Sequence, residues 1–179
     1  MQPQWSIKTQ QRITDMRAIV QRVLWAEVEV ADTIVGQIQQ GLLVYVGIAI
    51  GDTADDAIAL ADKIVNLRIF DDQNGKLNLS VRDTRGGVLA ISNFTLLADA
   101  RKGRRPAFTG AASYEVAKSL HGLFVSALEQ TGVQIAKGVF GAEMIIRSSA
   151  IGPINLILDM PPLADAPVRG KDSNTQIFA

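Results

Sequence analysis

Residues 41–50 read "GLLVYVGIAI", a run that is apolar almost without interruption. An unbroken apolar run of this length is the pattern of a central strand buried on both faces. The rest of the chain arranges itself around it. Upstream, "RAIVQRVLWAEVEV" (17–30) is rich in β-branched residues and partly alternates, and "TIVGQI" (33–38) follows after Ala31 and Asp32. Two such segments so close together predict a hairpin. Downstream, Asp52 or Thr53 caps a helix whose Ala57, Leu60, Ile64 and Leu67 share one face.

Beyond that helix, "DDQNGK" (71–76) is a turn marked by Asn74-Gly75. "LNLSV" (77–81) and "GVLAISNFTL" (87–96) are short strands. A second helix is expected from Ala111 to Thr131, with a stripe of Val116, Leu120, Leu123, Phe124, Ala127 and Leu128 and with Gly132 as the C′ residue. Three strands close the domain: "VQIAKGVF" (133–140), "AEMIIRS" (142–148) and "INLILD" (154–159). The last is preceded by Gly152-Pro153, the two residues least suited to a sheet ladder. The order predicts an α+β fold of mixed, mostly antiparallel sheets with two main helices.

The 179 residues suit one domain, and 47% hydrophobic residues allow a sizeable core. Eighteen basic residues balance eighteen acidic ones, so any polyanion must be held by a local patch rather than a global field. The absence of cysteine excludes disulfides, thiolate metal sites and a cysteine nucleophile, and fits a cytoplasmic protein. No stretch approaches the ~20 apolar residues of a membrane span, and residues 1–15 lack the apolar core of a signal peptide. Residues 1–15 read as an N-terminal extension, with Met16 an alternative start. Residues 16–161 read as the folded domain and 162–179 as a loose tail.

Few residues offer side-chain chemistry. His121 is the only histidine, and beside the apolar stripe it reads as a surface or partly buried helix residue. Asp55-Asp56 and Asp71-Asp72 sit at a helix start and in a turn, where capping and solvation account for them. No metal site and no cofactor are expected. "RKGRRP" (101–106) packs Arg101, Lys102, Arg104 and Arg105 into five positions, either as a solvated face or as a phosphate-binding patch. "SNFTL" (92–96) is either ordinary strand sequence or the lining of a pocket.

Five blocks, "MRAIVQRV", "KIVNLRIFDDQNGKLNLS", "SNFTLLADARKGRRPAF", "GVFGAEM" and "GPINLILD", occur in an order and spacing that resemble the D-aminoacyl-tRNA deacylases, across about 16–160. The resemblance implies a layered β/β/α sandwich, a homodimer, aminoacyl-tRNA as substrate and no membrane partner. It implies an active site at the dimer interface. One wall is Ser92, Asn93, Phe94 and Thr95, with catalytic roles for Ser92, Phe94 and Thr95. Facing it stands a cis Gly152-Pro153 pair from the partner subunit, whose main-chain carbonyls exclude an L side chain. By the same likeness Arg22 braces the Gly-Pro turn, Phe140 and Met144 shape an adenosine pocket with Phe94, and the "RKGRRP" cations meet tRNA phosphates. Backbone N–H groups around Phe94 and Thr95 would hold the oxyanion, with the 2′-hydroxyl of the terminal adenosine assisting.

The family pattern has glutamine where Asn93 stands. It reads Asn-x-Gly-Pro-Val-Thr where this chain has Ala150-Ile151-Gly152-Pro153-Ile154-Asn155. The expected activity is hydrolysis of D-aminoacyl-tRNA, and of glycyl-tRNA mischarged on the alanine tRNA. The alternatives are a weakened paralogue that binds tRNA 3′ ends without turnover, and a structural dimer with no RNA partner.

Overall fold

A computed structural model describes residues 15–101 and 103–160. The expectations for 1–14, Lys102 and 161–179 lie outside the described residues. Strand β1 (Met16–Val30) and β2 (Thr33–Ile38) form the predicted hairpin. Its two-residue turn, Ala31-Asp32, has both residues at positive φ, the geometry that matches the twist of paired strands. Strand β3 (Gly41–Gly47) runs antiparallel to β1 and parallel to β6 (Gly87–Ser92), which in turn pairs in parallel with β7 (Gln134–Lys137). Six of the seven β3 residues are buried, as a central strand requires. Ile48 and Ala49 stay buried beyond its end, but only an isolated bridge from Ala49 to Ala111 continues the pairing.

Helix α1 (Ala54–Val65) starts at Thr53 rather than Asp52. The Thr53 hydroxyl accepts from the Asp56 N–H while the Asp56 carboxylate accepts from the Thr53 N–H, a reciprocal capping box. Asp52 instead accepts from the N–H groups of Met16 (3.0 Å) and Ala49 (2.6 Å), tying the start of β1 to the end of β3. Strands β4 (Phe70–Asp71) and β5 (Leu77–Leu79) make a separate small ribbon around the Asn74-Gly75 turn. Asp72 organises that turn by accepting from the N–H groups of Asn74 and Lys76.

Helix α2 (Tyr114–Glu129) is shorter than the expected 111–131, and its buried face differs from the predicted stripe. Leu120, His121, Phe124, Val125 and Leu128 are buried, whereas Val116 and Leu123 are exposed. Leu123, Phe124 and Val125 are consecutive apolar residues that point to different sides of α2, so more than one face is open to burial. Packing against α1 and the sheet selects among them.

The closing strands also differ from expectation. Segments 142–148 and 154–159 are not two strands. Residues 145–148 and 154–159 belong to one strand, β8 (Ile145–Met160), which continues through Gly152-Pro153, while 142–144 precede it. Both halves pair antiparallel with the same partner: Glu29 to Val23 with Ile145 to Ala150, then Gln21 to Met16 with Asn155 to Met160. Register shifts on β1 between Gln21 and Trp25 absorb the Gly-Pro segment. β8 thus follows one edge of β1, while β3 and β2 share the other edge.

Two apolar clusters make the layers. One, including Val20, Val44, Leu60, Ile64, Val88 and Phe124, lies between the sheet and the two helices. The other, including Val23, Val28, Ile38, Leu43, Leu89 and Ile91, lies on the opposite face. There β2 curls back over β7, so closely that a Cβ on Gly36 would meet the Lys137 carbonyl at 2.7 Å. The result is the expected α+β, β/β/α arrangement, with a sheet that nearly closes into a barrel. Among the described residues no helix is long and apolar enough to cross a membrane.

Candidate active site

The wall begins where β6 ends. The segment 87–96 is not all strand. β6 stops at Ser92, and Phe94–Leu97 forms a short 3-10 turn. Asn93 makes that switch. Its N–H still donates to the Val46 carbonyl of β3, while its side-chain oxygen accepts from the Thr95 N–H (3.1 Å) and from the Thr95 hydroxyl. This is an N-cap, and it consumes the polar groups of Thr95. The Thr95 N–H is therefore not free for an oxyanion, contrary to the expectation. The adjacent Phe94 N–H has no hydrogen-bond partner among the described residues.

Ser92, Asn93 and Phe94 line a cavity of about 550 Å³ at the carboxyl ends of the parallel strands β3 and β6. That volume is in the range of small-molecule sites, which are typically ~300–1,000 Å³. Phe140 and Met144 line it as well, so five sequence-selected residues meet there. Thr95 is outside the lining. Phe94 is 57% exposed, and its ring packs edge-on against Phe108, with ring centroids 5.0 Å apart. Phe140 packs edge-on against Tyr114, with centroids 5.2 Å apart.

Two tyrosines in the lining were not anticipated. Tyr45 comes from β3, and burial pushes its phenol above the usual range, so it stays a protonated donor. Tyr114 opens α2 at the cavity. The lone tyrosine of the aliphatic run 41–50 was a usable sign of the first. Nothing in the local pattern marked the second.

Behind this wall lies His121. It is buried rather than a surface or partly buried helix residue, and its ring centroid is 5.7 Å from that of Phe140. Burial, and secondarily the charge of Lys137, push its pKa down to about 4, so it is neutral near pH 7. Its Nε2 has no hydrogen-bond partner among the described residues, and it does not line the cavity. Among the described residues there is no group of three or more His, Cys, Asp or Glu suited to a metal ion.

Gly152, Pro153 and Arg22 stand apart from the cavity. The Gly152–Pro153 peptide is cis, and both residues are exposed on β8. Gly152 has φ +118°, which L side chains rarely adopt, and a Cβ there would meet the Ile154 N at 2.8 Å. Beneath it runs the buried Arg22 side chain, with Nη2 3.6 Å from that Cβ position. Arg22 Nη1 donates to the Ile69 carbonyl (2.9 Å) and to Asp71 Oδ2 (3.1 Å). Asp71 is thus an ion-pair partner and not only a turn residue. Asn155 accepts from the Gln21 side-chain amide at 2.9 Å.

The basic loop is divided as well. Arg101 is held by Asp99 through a two-point ion pair. Arg104 and Arg105 are exposed and make no ion pair or hydrogen bond with the described residues.

Comparison with known proteins fits this geometry. Residues 19–159 match the family described as D-Tyr-tRNA(Tyr) deacylase. The chain is 51% identical over 144 residues to a D-aminoacyl-tRNA deacylase of Desulforamulus reducens, covering 80% of this chain and 97% of the relative. It is 49% identical over 146 residues to a D-aminoacyl-tRNA deacylase of Deinococcus deserti, covering 82% of this chain and all of the relative. Among solved structures it is similar to a c-Myc DNA unwinding element binding protein, with TM-score 0.76 and 35% identity over 81% of this chain and 99% of that one. A probable eukaryotic D-amino acid tRNA deacylase shares the fold, with TM-score 0.72 and 16% identity over 82% of this chain and 100% of that one. The chain is therefore a member of the D-Tyr-tRNA(Tyr) deacylase family.

Proposed function

We propose that this protein hydrolyses the ester of D-aminoacyl-tRNA, and of glycyl-tRNA, in a homodimer in which each cavity is completed by Gly152-Pro153 of the other copy. The observation that carries the reading is the separation of the two groups of residues. In one chain, the Ser92–Phe94 wall lines a cavity that excludes Gly152 and Pro153, while those two are presented on an exposed strand with Arg22 packed behind them. Two large apolar side chains of β8, Ile145 and Ile157, face solvent among polar neighbours, with Ile157 67% exposed opposite Ile19 of β1, which suits a second copy.

In this reading the ester is positioned rather than attacked by a side chain. Water adds to the ester carbonyl, the bond to the ribose 3′-oxygen breaks, and free amino acid and tRNA leave. The Phe94 N–H is the candidate oxyanion donor. Thr95 positions the turn, because its hydroxyl donates to Asn93 and no base among the described residues activates it. The 2′-hydroxyl of the substrate moves the proton. A backbone wall at Gly152 leaves no room for an L side chain, while a D side chain points away and glycine has none.

Incubation with D-Tyr-tRNA, Gly-tRNA and L-Tyr-tRNA tests this directly. Release from the first two and not the third is expected. Sedimentation should give a dimer, and a fully active monomer would overturn the shared site. A second reading, a paralogue that binds tRNA 3′ ends without turnover, is favoured by one detail. Asn155 is engaged by Gln21 and position 150 is alanine, so the flanks of Gly152-Pro153 are held differently from the family pattern. Salt-sensitive tRNA binding with no release from D-Tyr-tRNA would support it.

A further inference from the structure

Tyr114 and Lys118 stand one helical turn apart on α2 and share a face. The Lys118 ammonium lies 5.9 Å from the centroid of the Tyr114 ring. That is the outer limit of a cation–π contact, and both side chains are exposed, so the ammonium is easily drawn elsewhere. Lys118 has no ion pair among the described residues. The tyrosine ring is held from two sides. Phe140 meets it edge-on, and the backbone at Gly141 lies so close that a Cβ there would come within 3.0 Å of its Cε2. The ring lines the cavity yet remains 55% exposed, which places it at the rim.

An aromatic ring packed at a pocket rim, with an exposed cation one turn along, is the arrangement that suits a nucleotide. Every base has a π-face to lay on a ring, and a phosphate takes an unpaired ammonium. We propose that Tyr114 and Lys118 form a nucleotide clamp. The Tyr114 ring packs against the terminal adenine of the substrate, and Lys118 takes the 5′-phosphate of that same nucleotide. The assignment rests on reading the cavity as the seat of an aminoacyl-nucleotide, and it adds two residues that this reading does not contain.

The test is binding of adenosine and of adenosine 5′-monophosphate, measured by calorimetry without turnover, alongside KM for D-Tyr-tRNA. The monophosphate should bind the unaltered protein more tightly than adenosine, and less so as salt rises. Tyr114→Ala should weaken both ligands by roughly tenfold, the scale of one lost base-stacking contact, and should raise KM for D-Tyr-tRNA more than it lowers kcat. Tyr114→Phe should retain most of the affinity. Lys118→Ala should bring the monophosphate down to the affinity of adenosine and remove most of its salt dependence. Unchanged monophosphate binding in Tyr114→Ala, or failure of the unaltered protein to bind either ligand, overturns the clamp. Tyr114-dependent binding in a protein that releases nothing from D-Tyr-tRNA would leave the clamp standing and remove the deacylase reading.

Discussion

Arg22 and His121 are both buried ionisable side chains, and each stands behind one group of candidate site residues. Their burial is accommodated in opposite ways. Arg22 keeps its charge and is tied to the Ile69 carbonyl and Asp71, beneath Gly152. His121 gives up its charge behind Phe140, and its Nε2, like the Nε of Arg22, has no hydrogen-bond partner among the described residues. A guanidinium cannot be neutralised in a protein, so burial forces it into bonds that fasten separate parts of the chain together. An imidazole escapes that demand by losing a proton, at the expense of becoming sensitive to acid.

This contrast can be broken most sharply at Arg22. Arg22→Ala should lower the unfolding free energy by about 3 kcal/mol, from the lost charged hydrogen bonds and the cavity left beneath β8. Asp71→Asn should cost less than about 1 kcal/mol, because that carboxylate is half exposed and the pair is partly screened. Urea titrations read both. If Arg22→Ala is no more costly than Asp71→Asn, the fastening role is wrong.

His121 should show its effect in pH rather than at neutrality. Its folded pKa is depressed to about 4 from an ordinary 6.5, so the unfolded chain binds the proton first. Its contribution is complete above pH 6.5 and declines as pH falls toward 4, by at most about 3 kcal/mol. Asp52 works the other way. Burial raises it to about 6, so the folded state binds its proton first and gains stability as pH falls from about 6 toward 3.8. His121→Phe should therefore be nearly neutral at pH 7.5 and clearly protective at pH 4.5. Asp52→Asn should remove the opposing trend. Parallel denaturation curves at the two pH values for the unaltered protein and His121→Phe would refute the assignment.

A smaller effect belongs to Asn93, the cap of the 3-10 turn. Asn93→Ala should destabilise by about 1 kcal/mol while reducing deacylation more than stability predicts, since the Thr95 hydroxyl and the Phe94 N–H lose their fixed positions. Assays well below the melting temperature separate the two. The smallest change is expected at Arg104 and Arg105. Replacing each with alanine should leave stability unaltered and reduce the slope of log binding against log salt for tRNA by about one per residue. An unchanged slope would assign the loop to the solvated face.

Much of the architecture was legible because it rests on short-range rules. The hairpin at Ala31-Asp32, the doubly buried β3 and the Ala57–Leu60–Ile64 face of α1 all follow from local pattern. The continuity of β8 did not, because Gly152-Pro153 is a local break signal that long-range pairing with β1 overrides on both sides. The burial of His121 was missed for a related reason: the rotation of α2 is set by α1 and Phe140, not by its own stripe. Of the cavity lining, Ser92 to Phe94, Phe140 and Met144 were marked by the sequence motifs. Tyr45 and Tyr114 were not, since their place in the lining comes from where strand and helix ends converge.

The unbroken run of β8 alongside β1 has a consequence for how this chain can change its length. Ile146 packs into the cluster that includes Val28 and Leu89, whereas Leu156 and Leu158 pack into the cluster beneath the helices, so the two halves of β8 serve different layers. Both ends of the strand are anchored to one neighbour, so a single inserted or deleted residue near position 152 would turn one half inside out. Variation in this segment is confined to exchange of side chains, and the spacing between Ile146 and Leu156 acts as a fixed ruler.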